Sequence, residues 1–270
     1  MKGKEETMLI FLKLGGSLIT DKALPYTPRL ERLDDLAAQI ANALKEDPEL
    51  RLILGHGSGS FGHQAASQFG TREGVQGAVA WRGFAEVWYQ ASRLNRLVVE
   101  ALRRASLPAI TLSPAASVTA HNGKVFIWDL YPLQSTINQG LLPVIHGDVS
   151  FDDVRNGTIL STEDLFVHLA HELHPGRILL AGLEEGVWED FPTRTKLFPE
   201  ITPQSIQGQF PALGLVDGLD VTGGMQTKVA GMLELVDQLP GLEVLIFSGA
   251  EPGNIQRAML GAAPGTRLHR

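Results

Sequence analysis

Residues 9–22 read LIFLKLGGSLITDK, an apolar run that leads directly into a glycine-rich turn. Its first six residues are apolar apart from Lys13, which is typical of a strand buried on both faces of a parallel sheet. The adjacent glycines Gly15 and Gly16 let consecutive backbone N–H groups turn towards an anion, and Lys13 adds a positive charge beside them. Lys22 follows closely enough to reach the same turn. The stretch predicts an anion-binding turn after a buried strand, and a plain glycine turn with two surface lysines is the alternative.

Further apolar runs predict the rest of the sheet, and helical patterns lie between them. The runs cover residues 52–54, 109–112, 142–145, 178–180 and 244–247. Apolar residues at three- and four-residue spacing mark helices over residues 30–44, 84–102, 165–173, 225–239 and 255–260. The alternation predicts an α/β fold, a three-layer sandwich with a central, mostly parallel sheet.

Two other features bear on how the chain is organised. Asn122-Gly123 between two apolar stretches predicts a two-residue β-hairpin turn. The stretch 191–214, rich in Pro, Gln and Thr, is the one long region with the composition of a loop. We expect a single domain over residues 1–270, with a lobe boundary near residue 150.

Composition and charge limit the classes of function. With 270 residues of which 44% are hydrophobic, the chain can bury a sizeable core. A net charge of −7 gives no overall positive field for nucleic acid or an anionic membrane, and the apolar run 8–12 is far too short to span one. Because there is no cysteine, disulfides and cysteine-bound metals are excluded. We expect a cytoplasmic protein with no nucleic-acid or membrane partner.

A second glycine-rich turn, residues 55–63 (GHGSGSFGH), directly follows the apolar run 52–54. It contains Gly57-x-Gly59-x-x-Gly62, a weak match to the dinucleotide-binding fingerprint, since no acidic residue follows a strand about twenty positions later. The loop can equally hold a phosphate on its backbone N–H groups at the start of a helix. His63 would then hydrogen-bond that phosphate, whereas in isolation it would be a solvated loop histidine.

The third glycine-rich turn is Thr222-Gly223-Gly224-Met225-Gln226-Thr227-Lys228, which opens a predicted helix. A helix that starts at glycines and carries a lysine one turn inside offers both its dipole and a charge to the terminal phosphates of a nucleotide. Together the three turns bring Lys13, Lys22, Lys228 and His63 towards one polyanion. Phosphoryl transfer needs positioning and positive charge more than covalent chemistry, so these residues favour a kinase.

Carboxylates are available in Ser161-Thr162-Glu163-Asp164 and in His146-Gly147-Asp148. Helix capping alone explains Ser161 and the acidic first turn. If the acids are functional, Glu163 or Asp164 would orient the lysines or contact the Mg²⁺ that ATP carries. No side chains are assigned as ligands of a resident metal, because Mg²⁺ would be held through the ATP phosphates.

These motifs resemble the amino acid kinase superfamily and, within it, the isopentenyl phosphate kinases. The resemblance covers nearly the whole chain. It runs through residues 13–22, 55–63, 146–152 and 218–225 with Lys228, and through Pro252-Gly253-Asn254. The ending Ser60-Phe61-Gly62-His63 separates isopentenyl phosphate kinases and the similar fosfomycin kinases from the acetylglutamate, aspartate and uridylate kinases. The chain departs from the family pattern at Ser58, at residues 161–164 and at residues 181–188.

The resemblance implies an amino acid kinase-like fold and ATP-dependent phosphorylation of isopentenyl phosphate, with Mg²⁺, by a homodimer. Residues 1–150 would be the acceptor-binding lobe and residues 151–270 the nucleotide-binding lobe. The implied ATP site comprises Lys13, Gly15, Gly16, Ser17, Gly59, Glu163, Asp164, Gly182, Gly224 and Lys228. Lys22 would stabilise the transferring phosphoryl group, and Ser58, His63 and Gly147 would hold the phosphate of the acceptor.

The tail of the acceptor needs an apolar pocket beyond His63. Phe84 and Trp88 lie in the first part of a helical stripe that follows the second glycine-rich turn. Most of that stripe is ordinary core, but its first turn can line a pocket. We expect Phe84 and Trp88 to form the pocket floor.

Three other functions stay open on the sequence. A fosfomycin-like phosphonate kinase would use a similar acceptor, with an anionic phosphorus group on a small carbon body. An oxidoreductase could use Gly57-x-Gly59-x-x-Gly62 to bind a dinucleotide, but the acidic partner is missing. A ligand sensor could keep the fold without the reaction, which the presence of Lys13, Lys22 and Lys228 disfavours.

Overall fold

The structure of the protein is a computed structural model that describes residues 8–205 and 224–270. The strands are β1 (Leu9–Leu14), β2 (Arg51–His56), β3 (Ala109–Thr111), β4 (Val118–His121), β5 (Lys124–Trp128), β6 (Leu142–His146), β7 (Asp148–Asp152), β8 (Asn156–Leu160), β9 (Arg177–Gly182), β10 (Glu200–Ile201), β11 (Glu243–Ser248) and β12 (Gly265–Leu268). The helices are α1 (Gly16–Ile19), α2 (Leu30–Glu46), α3 (Gly59–Phe69), α4 (Gly77–Arg104), α5 (Pro114–Ser117), α6 (Tyr131–Asn138), α7 (Thr162–Leu173), α8 (Met225–Gln238) and α9 (Asn254–Met259).

An eight-stranded sheet in the order β10-β12-β11-β9-β1-β2-β6-β3 forms the centre of the fold. All six apolar runs predicted as strands belong to it, and the strands they form are parallel to their neighbours. The exception to the parallel arrangement is β12, which pairs antiparallel with β11. The prediction of a mostly parallel sheet is therefore confirmed.

The sheet is covered on both faces, which confirms the predicted three-layer sandwich. One face packs against α2, α4 and α9, and Leu12 and Leu54 of the sheet belong to the same buried cluster as Leu36 of α2. The other face packs against α7 and α8, where the rings of Phe11 and Phe166 lie 5.1 Å apart. Because successive side chains of a strand point to opposite faces, the continuous apolar runs fill both layers.

A second sheet, in the order β5-β4-β7-β8, stands beside the large one. The predicted hairpin is confirmed as β4 and β5, and its turn residues Asn122 and Gly123 have φ of 49° and 80°, as a tight hairpin turn requires. The buried carboxylate of Asp152 fastens this turn, because it accepts the N–H groups of Asn122 at 3.1 Å and Gly123 at 2.7 Å.

Two predicted boundaries, the lobe boundary near residue 150 and the loop over residues 191–214, can be compared with the structure. Residue 150 lies inside β7, so the division into two lobes there stays a prediction. Of the predicted loop 191–214, the structure describes residues 191–205, which include the short strand β10. Within the described residues, no helix combines the length and the apolar character that a membrane crossing needs.

Candidate active site

A glycine stands at the carboxyl end of each of five parallel strands. Gly182 is the last residue of β9, and Gly15, Gly57, Gly147 and Gly249 directly follow β1, β2, β6 and β11. Because these strands are parallel, all five glycines lie at the same edge of the sheet. In the sheet β1 has β2 on one side and β9 on the other, so the strand order reverses direction at β1. Ligands of open α/β sheets bind at such a reversal, beyond the carboxyl ends of the strands.

The first two glycine-rich turns are in direct contact with each other. A Cβ added to Gly16 would lie 2.5 Å from the backbone nitrogen of Gly59, and one added to Gly57 would lie 2.8 Å from the nitrogen of Gly16. Gly59 also has φ of 49°, a left-handed conformation that favours glycine. The glycines therefore allow the close approach of two turns, which combines two predicted anion-binding segments in one place.

Thr20 fastens the two turns together, a role that the sequence did not reveal. Its hydroxyl donates to the carbonyl of Gly16 at 2.7 Å and accepts the N–H of Ser60 at 2.9 Å. Thr20 and Gly16 are one helical turn apart, so the bond between them could be predicted from the sequence. The bond to Ser60 on α3 could not, because Ser60 is forty positions away.

Lys13, Glu163 and Lys228 form the charged centre of the site. The ammonium group of Lys13 is ion-paired with the carboxylate of Glu163, and their side chains are only 12% and 20% exposed. Burial would raise the pKa of Glu163, but the charges of Lys13 and Lys228 outweigh it and lower the pKa to about 2. Glu163 is therefore a carboxylate at neutral pH, held between strand β1 and helix α8.

Asp164, the other candidate acid, has a different environment. Its carboxylate accepts from both the N–H and the hydroxyl of Ser161 at 2.7 Å, and its own N–H donates to Ser161 Oγ at 3.1 Å. This is a complete capping box at the start of α7, and Arg72 adds an ion pair at 3.3 Å. The contacts assign Asp164 to the helix cap and leave Glu163 as the acid that contacts a lysine.

The other residues predicted to bind ATP come next. Gly15 donates its N–H to the carbonyl of Ala181 at 2.8 Å, which brings β1 next to Gly182. Ser17 is in the short helix α1. Gly224 is the N-cap of α8 and accepts the N–H of Lys228 at 3.3 Å, so the predicted lysine one turn inside the helix is confirmed. Thr222 and Gly223, with the rest of residues 218–223, lie outside the described residues.

The residues predicted to hold the acceptor phosphate are spread around the second glycine-rich turn. Ser58 is the N-cap of α3, and His63 lies one turn inside that helix, with a side chain outside the described part. Gly147 donates its N–H to the carbonyl of His56 at 3.2 Å. Lys22 is exposed on a short loop whose end is fastened to α3, because Thr27 donates its N–H to Ser60 Oγ at 3.2 Å.

The structure separates the two predicted floor residues. Phe84 is 7% exposed and packs in a small apolar cluster with Val87 and Val149, where its ring lies 5.3 Å from that of Phe151. Trp88 is 45% exposed on the same helix. Phe84 therefore lies among apolar side chains between α4 and β7, whereas Trp88 does not join that cluster.

The comparisons with known proteins agree with this geometry. The model of the amino acid kinase family matches residues 8–248. The chain is 32% identical to the isopentenyl phosphate kinase of Methanocaldococcus jannaschii, over 97% of this chain and 98% of the relative. It is 34% identical to that of Methanothermobacter thermautotrophicus, over 96% and 98%.

A solved structure of isopentenyl phosphate kinase superposes with a TM-score of 0.80 at 30% identity, covering 96% of this chain and 99% of that one. The match in sequence thus extends to the whole arrangement of the described elements. Since the family model spans most of the chain, the protein belongs to the amino acid kinase family.

Proposed function

We propose that the protein transfers the γ-phosphoryl group of ATP to isopentenyl phosphate, which yields ADP and isopentenyl diphosphate. One observation carries the proposal: the Lys13–Glu163–Lys228 centre lies against two joined glycine-rich turns at the edge of the sheet. The full-length similarity to enzymes named isopentenyl phosphate kinase supports the choice of acceptor.

On the nucleotide side, the backbone of Gly15, Gly16 and Gly59 binds the ATP phosphates, and Ser17, Gly182 and Gly224 complete the site. Lys13 and Lys228 supply positive charge there, and Glu163 fixes their positions from between them. Among the described residues, no three His, Asp or Glu side chains form a group that could hold a metal ion. Mg²⁺ would enter as part of the substrate MgATP, bound through its phosphates.

On the acceptor side, Ser58, His63 and Gly147 hold the phosphate of isopentenyl phosphate. One of its oxygens attacks the γ-phosphorus in line, and a new P–O bond forms as the bond to the β,γ-bridging oxygen breaks. The electron pair of the broken bond leaves with ADP. Since the attacking group is already an oxyanion, the reaction needs no general base, and His63 serves in binding.

The apolar tail of the acceptor extends towards Phe84. Phe84 is buried beside Val87 and Val149, and these apolar surroundings support a contact with the tail. Trp88 is exposed, so its position does not support such a contact. Assembly as a homodimer stays a prediction from the family resemblance, and a place in the cytoplasm stays a prediction from the sequence.

An ADP-release assay over a panel of acceptors tests the function. Isopentenyl phosphate should give the highest kcat/KM, ahead of dimethylallyl phosphate, fosfomycin, acetylglutamate and UMP. Preference for fosfomycin would make the protein a phosphonate kinase instead, and binding of NADH without ADP release would favour an oxidoreductase.

Lys22 provides a test of the mechanism. Because it should meet charge that develops mainly during transfer, Lys22→Ala should lower kcat about 100-fold or more and change the KM for ATP little. Lys45→Ala is the matched control, since Lys45 is an exposed lysine in the last turn of α2. A loss confined to the KM for ATP would contradict the assigned role of Lys22.

A further inference from the structure

His56 is a buried histidine to which the proposed reaction gives no part. It is the last residue of β2, directly before the second glycine-rich turn, and it is 0% exposed. A buried polar ring costs free energy unless its nitrogen atoms are hydrogen-bonded. Its partners therefore indicate what the ring does.

The main chain of His56 already joins three parts of the site. Its carbonyl accepts the N–H of Gly147 at 3.2 Å and the hydroxyl of Thr162 at 2.7 Å. Thr162 is the first residue of α7 and immediately precedes Glu163. These bonds do not involve the imidazole, so they survive a change of the side chain.

The imidazole makes two further contacts, one of them with the turn itself. Nδ1 lies 3.1 Å from the carbonyl oxygen of Gly57, and Nε2 lies 3.1 Å from the side-chain oxygen Oδ1 of Asn95 on α4. Asn95 in turn is hydrogen-bonded to Thr111 Oγ1 at 2.8 Å. A chain of side chains thus runs from strand β3 through helix α4 to the peptide that opens the glycine-rich turn.

The charge state of the ring fixes the direction of the bond to Gly57. Burial and the neighbouring ring of His146, stacked at 5.4 Å, lower the pKa of His56 to about 4, so the ring is neutral at pH 7. The neutral ring carries one proton, yet Nδ1 faces the carbonyl oxygen of Gly57 and Nε2 faces Oδ1 of Asn95, and both oxygens can only accept. The carbonyl of Gly57 cannot turn, whereas the Asn95 amide can turn over, so that its NH₂ group donates to Nε2 and its oxygen accepts the hydroxyl of Thr111. Because this arrangement satisfies every one of these groups, we assign the proton to Nδ1, which donates to Gly57.

We propose that His56 is a positioning residue for the acceptor: its Nδ1–H holds the carbonyl of Gly57 and thereby the turn that presents Ser58 and helix α3 to the acceptor phosphate. The proposal rests on the proposed function, because it takes that turn to be the acceptor site. The nucleotide-side contacts of the turn run through Gly59 and Thr20 instead, so loss of the ring should affect the acceptor more than ATP.

Two substitutions at the same position separate the two contacts. Asparagine places an amide NH₂ near the position of Nδ1, whereas glutamine reaches towards Asn95 from the position of Nε2. We expect His56→Gln to raise the KM for isopentenyl phosphate about tenfold, and His56→Asn to raise it by no more than about twofold. The KM for ATP should stay within about twofold in both variants.

His146→Gln is the matched control. His146 is 1% exposed and stacks on His56, but neither of its ring nitrogens has a hydrogen-bond partner among the described residues. We expect this variant to lose a similar amount of thermal stability without a tenfold rise in the KM for the acceptor. Equal rises in both KM values, in proportion to the loss of melting temperature, would make His56 purely structural and overturn the proposal.

A measurement on the unmodified protein does not depend on the folding of any variant. ¹⁵N NMR of the histidine rings should show His56 as the Nδ1–H tautomer, and an Nε2–H tautomer would overturn the proposal. If the unmodified protein does not phosphorylate isopentenyl phosphate at all, the proposed function fails, but the tautomer can still be measured.

Discussion

The helices at the site begin in two different ways. Helix α7 begins with a complete capping box, in which Ser161 and Asp164 satisfy each other's backbone N–H groups. Helices α3 and α8, by contrast, begin at Ser58 and Gly224 with no hydrogen bond from the side chain of the N-cap residue, as far as the described chain extends. The three helices face the same edge of the sheet.

The two kinds of helix start differ in whether their backbone N–H groups can bind an anion. A capping box uses the first N–H groups internally, so α7 contributes to the site through a side chain, Glu163. Neither Ser58 nor Gly224 caps its helix with its own side chain, although the hydroxyl of Thr20 already accepts one N–H at the start of α3, that of Ser60. We expect an anion to bind at the start of α3 beside Thr20. The chain thus separates a closed helix start, which orients a charge, from open ones, which can receive a ligand.

Crowding the start of α3 with an added side chain should have the largest effect on activity. In Gly59→Ala the new Cβ would lie 2.7 Å from the carbonyl oxygen of Gly16, so the two turns must move apart. We expect kcat/KM to fall about 100-fold, the usual result of a displacement of about 1 Å in a reacting site.

Gly70→Ala is the control for this substitution. Gly70 ends the same helix with φ of 62°, but nothing lies within 4 Å of an added Cβ. The control shares the backbone strain and lacks the crowding, so it should lose stability and keep its kcat/KM. Equal loss of activity in both variants would show that strain in α3, and not contact between the turns, is responsible.

The buried ring of His56, which lies just before the start of α3, should make stability depend on pH. The pKa of His56 is lowered from 6.5 to about 4, because burial and His146 disfavour its charged form, while Asp148 opposes them weakly. The unfolded chain therefore binds more protons between these values, and stability falls as the pH drops through this window. From pH 7 to pH 5 the loss from this group is about 2 kcal/mol.

Urea denaturation at pH 7 and pH 5 measures this loss. His56→Asn removes the titrating ring, and its free energy of unfolding should change about 2 kcal/mol less over the same interval. An unchanged pH dependence in this variant would mean that other groups carry it.

The smallest effect should come from the caps themselves. Ser161→Ala removes a cap and should cost about 1 kcal/mol of folding free energy with little change in activity. Ser58→Ala removes no cap and should change the free energy of unfolding by less than about 0.5 kcal/mol. The same variant should raise the KM for the acceptor. A stability loss at Ser58 as large as at Ser161 would remove the distinction between open and closed starts.

Much of the large sheet could be predicted because its strands are continuously apolar. The small sheet could not, apart from its hairpin, because buried polar residues interrupt β7. Asp148 accepts a hydrogen bond from Ser113, Ser150 donates to the carbonyl of Val118, and Asp152 accepts N–H groups of the hairpin turn. Those partners come from distant parts of the chain, and local hydrophobicity does not reveal them.

The same limit applies to the site. Glycine pairs and nearby lysines are local signals, and they predicted that Lys13, Lys22, Lys228 and His63 converge. The structure brings Gly16 against Gly59, and Lys13 and Lys228 both act on Glu163, while the roles of these residues stay predictions. Which of the adjacent acids Glu163 and Asp164 contacts a lysine could not be predicted from local sequence. It depends on which carboxylate reaches Lys13 and which one turns back to Ser161, and that is decided by where α7 packs.

The position of β1 in the sheet also has a consequence for how the chain folds. On one side β1 pairs with β2, the next strand in sequence, but on the other it pairs with β9, so that Leu12 lies beside Leu179. Contacts between such distant segments form slowly, since a long loop must close first. A ribosome must therefore deliver β9 before the turn at Gly15 gains its neighbour Ala181. Until then β1 remains an exposed apolar edge, at which the nascent chain is prone to aggregate.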